Sequence, residues 1–277
     1  MTLRRLLSWS AVLIVLVLLG YSPQYADWLA SYSAKTGRVI DEQTKTGIPD
    51  ATVVSRGFWS SGGLYTTSSS CVYSVLARTD KNGIFDLPPA WENFTPGAPW
   101  FGQHNRWEIT AFAPGFVFAG DTERMSANPQ SPDLGSAARS VAFQRKGTSI
   151  VVSDLLMEKA SLPLEQKVHY YAHTTFSDGC PEMQNAEFTA FRKRIFEDLR
   201  SSVCSLDSVA TTDAETVRAL RSFSVRLTER ENTVSRFDQR FAALDPAYGL
   251  ILSNQTQDHR YRVGDLCEVM TAMENHS

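Results

Sequence analysis

Two different periods of apolar residues divide this chain. From Gly37 to about Lys159 the apolar positions come in short runs or alternate with polar ones, and Gly, Pro, Asn and Asp stand between them. "GRVID" alternates as a short strand, "TKTGIPD" turns through Gly47 and Pro49, and "ATVVS" is a β-branched run of the kind strands prefer. In "WEITAFAPGFVF", Trp107, Ile109, Ala111 and Ala113 fall on one face, with Glu108, Thr110 and Phe112 on the other. That alternation predicts a half-buried strand, broken at Pro114 and Gly115. Residues 119–139 read as a loop, and "TSIVVSDLLMEK" returns to strand. Many short strands joined by Gly and Pro turns predict an all-β sandwich over residues 36–160.

After Ser161 the period lengthens. Phe188, Phe191, Ile195, Leu199 and Val203 recur at steps of three and four, which predicts an amphipathic helix from Pro181 to Val203. Lys193 with Glu197, and Arg194 with Asp198, have the spacing of surface ion pairs. Thr212 and Glu215 suit a capping box for a second helix. Its stripe would be Val217, Leu220, Phe223, Leu227, Val234, Phe237, Phe241 and Leu244, interrupted near Asn232 and Thr233 and stopped by Pro246. Leu266, Met270 and Met273 predict a last short helix, so residues 161–277 read as a helical subdomain.

The N-terminus has a pattern of its own. "MTLRRLLSWSAVLIVLVLLG" joins Arg4 and Arg5 to an almost unbroken apolar run from Leu6 to Leu19. As a helix that run reaches roughly 20 to 25 Å, a little short of the roughly 30 Å hydrocarbon core. Residues 1–28 therefore read as a signal anchor or a cleaved signal peptide, with the membrane as partner through residues 6–20. Tyr21, Tyr25 and Trp28 are of the types that favour a membrane interface, and the basic pair holds the N-terminus in the cytoplasm. Everything after Gly20 is then exported.

Export changes the meaning of the four cysteines, Cys71, Cys180, Cys204 and Cys267. An even count in an oxidising compartment predicts two disulfides. A helix from Pro181 to Val203 would set Cys180 and Cys204 roughly 35 Å apart, beyond the reach of a bridge. Cys71 is then expected to bond into the helical part, with the second bridge inside it. The remaining composition narrows little. The chain has 277 residues, 43% of them hydrophobic and 21% charged, with a net charge of −3. It shows no clustered basic footprint for nucleic acid.

The strand segment resembles a known family. "GRVIDEQTKTGIPDATVVS", then "ARTDKNGIFDLPPAW", then "WEITAFAPGFV" resemble, in that order, the carboxypeptidase regulatory-like domain. The matching positions are Gly37, Val39, Thr46, Gly47, Pro49, Ala51, Val53, Thr79, Asp80, Gly83, Phe85, Pro114, Gly115 and Phe116. The resemblance implies a small transthyretin-like (prealbumin-like) β-sandwich and no chemistry. The residues say why the motif recurs as structure: Asp80 can accept hydrogen bonds from the turn amides, Gly83 can take positive φ, and Phe85 can then enter the core. "SRGFWSSGGLYTTSSSCVYS" and "AWENFTPGAPWFGQHNR" are insertions beyond a minimal domain. The helical tail is similar to tails on exported bacterial proteins of uncharacterised role, with "YYAHTTFSDGCPE" as the joint.

Candidate chemistry is sparse. His169 and His173 in "HYYAH" would share a helix face, but Tyr170 stands where a zinc protease has Glu. Intradiol dioxygenases begin with a similar strand and hairpin and bind ferric iron through two Tyr and two His. Tyr65, Tyr73 and His104 are the nearest equivalents here, without the second His. Cys71 with His104 makes a weak nucleophile pair, and no Ser sits in a G-x-S-x-G elbow. No metal site and no cofactor are expected. The aromatic residues Trp59, Tyr65, Trp91, Trp100 and Phe101, with Trp107, gather around the two insertions as candidate binding residues; the alternative is that they plug the ends of the sandwich.

The expected protein is a non-catalytic binding or scaffolding module of the bacterial envelope. It is anchored in the inner membrane with its main domain in the periplasm, or released there after cleavage, and another envelope protein is its candidate partner. The alternatives are a hydrolase or metal-dependent oxygenase built on the loops, and an immunity-type envelope protein.

Overall fold

The computed structural model describes residues 32–62, 67–91, 103–127, 143–146, 149–175, 186–228, 231–245, 248 and 260–274. The N-terminal apolar run lies outside them. Among the described residues no helix is long and apolar enough to cross a membrane.

The architecture is sheet-rich with helices attached. β1 (Lys35–Asp41) is the centre of the first sheet. Its odd-numbered backbone groups face β4 (Ile84–Leu87) and its own turn, through Val39 N to Gly83 O and Asp41 N to Thr46 O. The even side takes β8 (Ser149–Val152) and β9 (Leu155–Lys159), both parallel to β1. The register changes by one residue between them, Lys35 lying opposite Ile150 and Val39 opposite Leu155, so Ser153 and Asp154 form a bulge in what is otherwise one strand. β7 (Phe143–Lys146) extends the sheet beyond β8, and β6 (Phe116–Phe118) extends it beyond β9. A second sheet has β2 (Thr52–Gly62) between β3 (Thr67–Arg78) and β5 (Gln103–Phe112).

Long strands replace the first expected insertion. β2 and β3 stay paired from Thr52–Arg78 out to Gly62–Thr67, with a bulge at Gly57 and Phe58. Likewise His104 lies within β5, opposite Ser60, rather than in a loop. The expected loop at 119–139 begins with a helix, α1 (Asp121–Ala127), whose Met125 is buried. One apolar residue in a polar stretch sets no period, so the sequence carried no signal for it.

The hairpin motif folds as its chemistry requires. Asp80 Oδ1 accepts from Asn82 N and Ile84 N, both at 2.8 Å, and these amides hold its carboxyl below the usual range. Gly83 has φ of 77°, and Phe85 is 1% exposed. Thr79 couples this hairpin to the preceding turn: its hydroxyl donates to Ile48 O at 2.7 Å and accepts from Ala51 N at 2.8 Å.

The helices named among the described residues that follow are α2 (Leu164–Thr175), α3 (Ala186–Cys204), α4 (Ala214–Thr228), α5 (Glu231–Leu244) and α6 (Val263–Glu274). A short ladder of β10 (Thr211–Asp213) and β11 (Arg260–Arg262) precedes α4 and α6. α3 buries the predicted stripe, Phe188, Phe191, Ile195, Leu199 and Val203. α2 was not expected; it buries Leu164, Val168, Tyr170 and Tyr171 and runs into the stretch read as a joint, which starts at Tyr170.

One hydrophobic core runs through both halves. This corrects the expected half-buried strand. Phe112, assigned to the polar face of β5, is 3% exposed because its ring meets Tyr171 and Phe191 edge-on, at 5.2 and 5.8 Å. Helices supply the partner that the alternation did not reveal. Arg194 adds a polar tie, reaching Asp50 Oδ2 at 2.8 Å and Asp50 O at 3.0 Å. It therefore forms no surface pair with Asp198, which bonds to α2 instead. The second helix is capped by Asp213, whose Oδ1 accepts from Thr216 N at 2.7 Å, and not by Thr212, whose hydroxyl donates to Glu165. Beyond it, Arg221 grips Asp238 with two bonds of 2.6 Å, and the Tyr248 hydroxyl donates to the same carboxylate.

Cys204 is bonded to Cys267, which fastens the end of α3 to α6 and excludes a Cys180–Cys204 bridge. Cys71 is also in a disulfide, and Cys180 lies outside the described residues. Peptide mapping of the non-reduced chain is expected to return Cys204 with Cys267, and Cys71 with the one cysteine left, Cys180. A Cys71 thiol open to alkylation in the oxidised protein would contradict that map.

Candidate functional site

A cleft lies on the seam between sheet and helices, and four residues at helical spacing line part of it. Lys167 and Tyr171 are i and i+4 on α2; Asp198 and Ser202 are i and i+4 on α3. Residues so spaced share a helix face, and the two faces meet. Lys167 Nζ lies 2.6 Å from Asp198 Oδ2 and donates to Ser202 Oγ, also at 2.6 Å. The Tyr171 hydroxyl donates to the same Asp198 Oδ2 at 2.5 Å. Burial, then the neighbouring carboxylate, push the Tyr171 phenol up, so its proton stays in place as a donor. The Lys167 ammonium stands 5.7 Å from the centre of the Tyr171 ring, a cation–π distance.

The cleft measures about 640 Å³. The turn at Gly115, Phe116 and Val117 and the linker Ala160–Pro163 form its other walls, and Leu206, 44% exposed, stands at its rim. β9 ends at Lys159, and α2 starts at Leu164, directly after Pro163.

Ser202 Oγ sits close to a lysine, as in a Ser–Lys hydrolase pair, but its own proton goes to Asp198 O at 2.8 Å. Lys167 donates to the Asp198 carboxylate. The charges of Lys167 and Asp198 cancel.

A second cluster surrounds Lys35, which is 2% exposed. Its Nζ lies 5.2 Å from the Trp107 ring centre and 5.6 Å from that of Tyr73, and donates to Ser33 O at 3.1 Å. Tyr32 packs on Tyr73 at 5.2 Å, and Trp91, 44% exposed, stacks on Tyr32 at 6.0 Å. Removal from water pushes the Lys35 amine down to about 7. In the second sheet Arg56 on β2 is buried opposite Glu108 on β5, and burial lowers it to about 10 against the pull of that carboxylate.

The candidate binding aromatics fare unevenly. Trp91 is the end of the stack just described. Of Trp59 only the backbone is described, opposite Ser70 and Asn105, while Tyr65, Trp100 and Phe101 lie outside the described residues. Tyr73, the candidate iron ligand, instead lies beneath Lys35. His169 and His173 do share α2, where His169 faces Glu215 at 3.7 Å, and among the described residues no His, Cys, Asp and Glu group is gathered as a metal requires. The seam cleft itself went unnoticed in the sequence, although K-x-x-x-Y and D-x-x-x-S were there to be seen.

No family model matches this chain, and neither does any curated protein. Among solved structures, a 9R-lipoxygenase from Cyanothece PCC8801 aligns with a TM-score of 0.24 and 12% identity, over 79% of this chain and 29% of that one. At that level the alignment carries no argument about either fold or activity.

Proposed function

We propose that this chain is a non-catalytic binding or assembly module of the bacterial envelope, held at the inner membrane by residues 6–20, with a carboxypeptidase regulatory-like sandwich and a helical subdomain in the periplasm. The observation that carries the choice of binding over catalysis is the closed hydrogen-bond circuit of Lys167, Tyr171, Asp198 and Ser202 in the seam cleft. The Ser202 proton is directed to a backbone carbonyl, and Lys167 and Tyr171 both bond to Asp198. An enclosed wall of apolar groups around a few fixed polar ones is the usual form of a ligand site. Disulfide-bonded Cys71, Cys204 and Cys267 suit an oxidising compartment, as does the basic and apolar N-terminus.

The test is to replace Leu206 with a photoreactive residue in the full-length chain, expressed in bacteria, and irradiate the membranes. Discrete covalent adducts at this position, absent when the same group replaces exposed Glu123 on α1, are the expected result. If instead the purified chain turns over ester, amide or phosphoester substrates and loses that activity with Lys167→Met, the module is an enzyme and the proposal fails.

A further inference from the structure

We infer that the seam cleft recognises an uncharged peptide segment carrying an aliphatic side chain, an inference that rests on the binding role proposed above. The first argument is electrostatic. Lys167 and Asp198 neutralise one another at 2.6 Å, so an anion entering the cleft meets a carboxylate beside the ammonium, and a cation meets the reverse. Either must displace a short, largely buried partner, and breaking such a pair leaves an uncompensated charge. Neutral ligands face no such cost.

The second argument counts what is left over. An ammonium has three N–H donors, and two are spent on Asp198 and Ser202. Asp198 Oδ2 accepts from both Lys167 and Tyr171, while Oδ1 takes no hydrogen bond among the described residues. One Lys167 donor and one Asp198 acceptor are therefore left over in the cleft lining. A residue in an extended peptide presents its C=O and N–H on the same side, as the paired residues of an antiparallel ladder do. Its carbonyl would accept from Lys167 and its amide would donate to Asp198 Oδ1.

The walls select the side chain. Val117, Leu162 and Leu206 line the cleft with aliphatic groups. A sugar would want an open aromatic face, yet the Tyr171 ring is already faced by the Lys167 ammonium. Strand addition is also closed off. β6 pairs with β9 through Gly115, Val117 and Ala119, so Phe116 and Phe118 point their amides outward; Phe116 N donates to Ala113 O, and Phe118 N donates to the Tyr170 hydroxyl at 2.8 Å. A peptide here is gripped by side chains.

The experiment records amide shifts of the oxidised chain during titration with the capped peptide acetyl-Gly-Leu-Gly-amide at millimolar concentration. Saturable shifts are expected at Phe116, Ser202 and Leu206. Replacing the peptide's Leu by Ser should weaken binding about tenfold or more, the worth of one buried aliphatic side chain. Leu206→Glu, at a half-exposed rim position, should weaken it similarly without unfolding the chain, and Asp198→Asn provides a second variant of the same shape. Equal binding of the Ser peptide, equal binding of the free acid acetyl-Gly-Leu, preferential binding of a chitin trisaccharide, or no saturable peptide shift would each overturn the inference. Photo-adducts at position 206 alongside any of those results would leave the binding role standing with another ligand; their absence would remove both.

Discussion

Gly47→Ala is expected to cost about 3–5 kcal/mol, a large part of the stability of an ordinary domain. A Cβ built at Gly47 would lie 1.9 Å from the Asn82 carbonyl oxygen and 2.7 Å from Gly83 N. Both are backbone atoms of the hairpin whose Phe85 plugs the core, so no side chain can move aside to make room. Gly115→Ala is the control. It has φ of 77° but nothing within 4 Å of the added carbon, and should cost only about 1 kcal/mol of backbone strain. Urea denaturation of both variants measures the difference. If Gly47→Ala loses no more than Gly115→Ala, the two turns are not locked together as described.

Lys35→Met is expected to stabilise the chain by a few kcal/mol at pH 6 and to remove a pH dependence that the parent shows. Two effects oppose one another at this amine. The rings of Tyr73 and Trp107 lie at distances that attract an ammonium, whereas removal from water lowers the amine to about 7 from 10.5. Between those values the unfolded chain binds the proton and the folded chain does not. Stability should therefore rise with pH from about 7 to 10.5. Below 7 the penalty is complete and flat; above 10.5 it is gone. Thermal unfolding across that range, compared with Lys35→Met, isolates the contribution. A parent curve that falls from pH 7 to 10 while the Met curve stays level would show that the ring contacts outweigh desolvation.

The strand segment was legible where local chemistry decides conformation. The turn residues Asp80 and Gly83 have the roles their side chains allow, and the stripe of α3 is buried as its spacing implied. α2 was missed because its buried residues, Leu164, Val168, Tyr170 and Tyr171, are few and half of them tyrosine, and the tyrosine hydroxyls find polar partners only in the fold. The capping error at Thr212 has a similar origin. Two oxygen-bearing residues in succession, Thr212 and Asp213, can each cap, and Glu165 from another helix claimed the first.

The sequence by itself determined the strand-then-helix order, the motif hairpin and the polar identity of the residues that now form the cleft. Periodicity is a local property, and each of these depends on neighbours within a few positions. Tertiary structure alone decided what those faces meet. Phe112 looked half-exposed until α2 and α3 covered it, and Arg194 and Asp198 looked like partners until Asp50 and Lys167 drew them apart. A long side chain on a helix can reach either its own next turn or another element. The exposed local pair contributes only a few tenths of a kcal/mol, while a half-buried tertiary partner with several hydrogen bonds contributes more. The polar wall of the cleft exists because Lys167, Tyr171 and Asp198, on two helices consecutive in the chain, bond to one another across the helix pair.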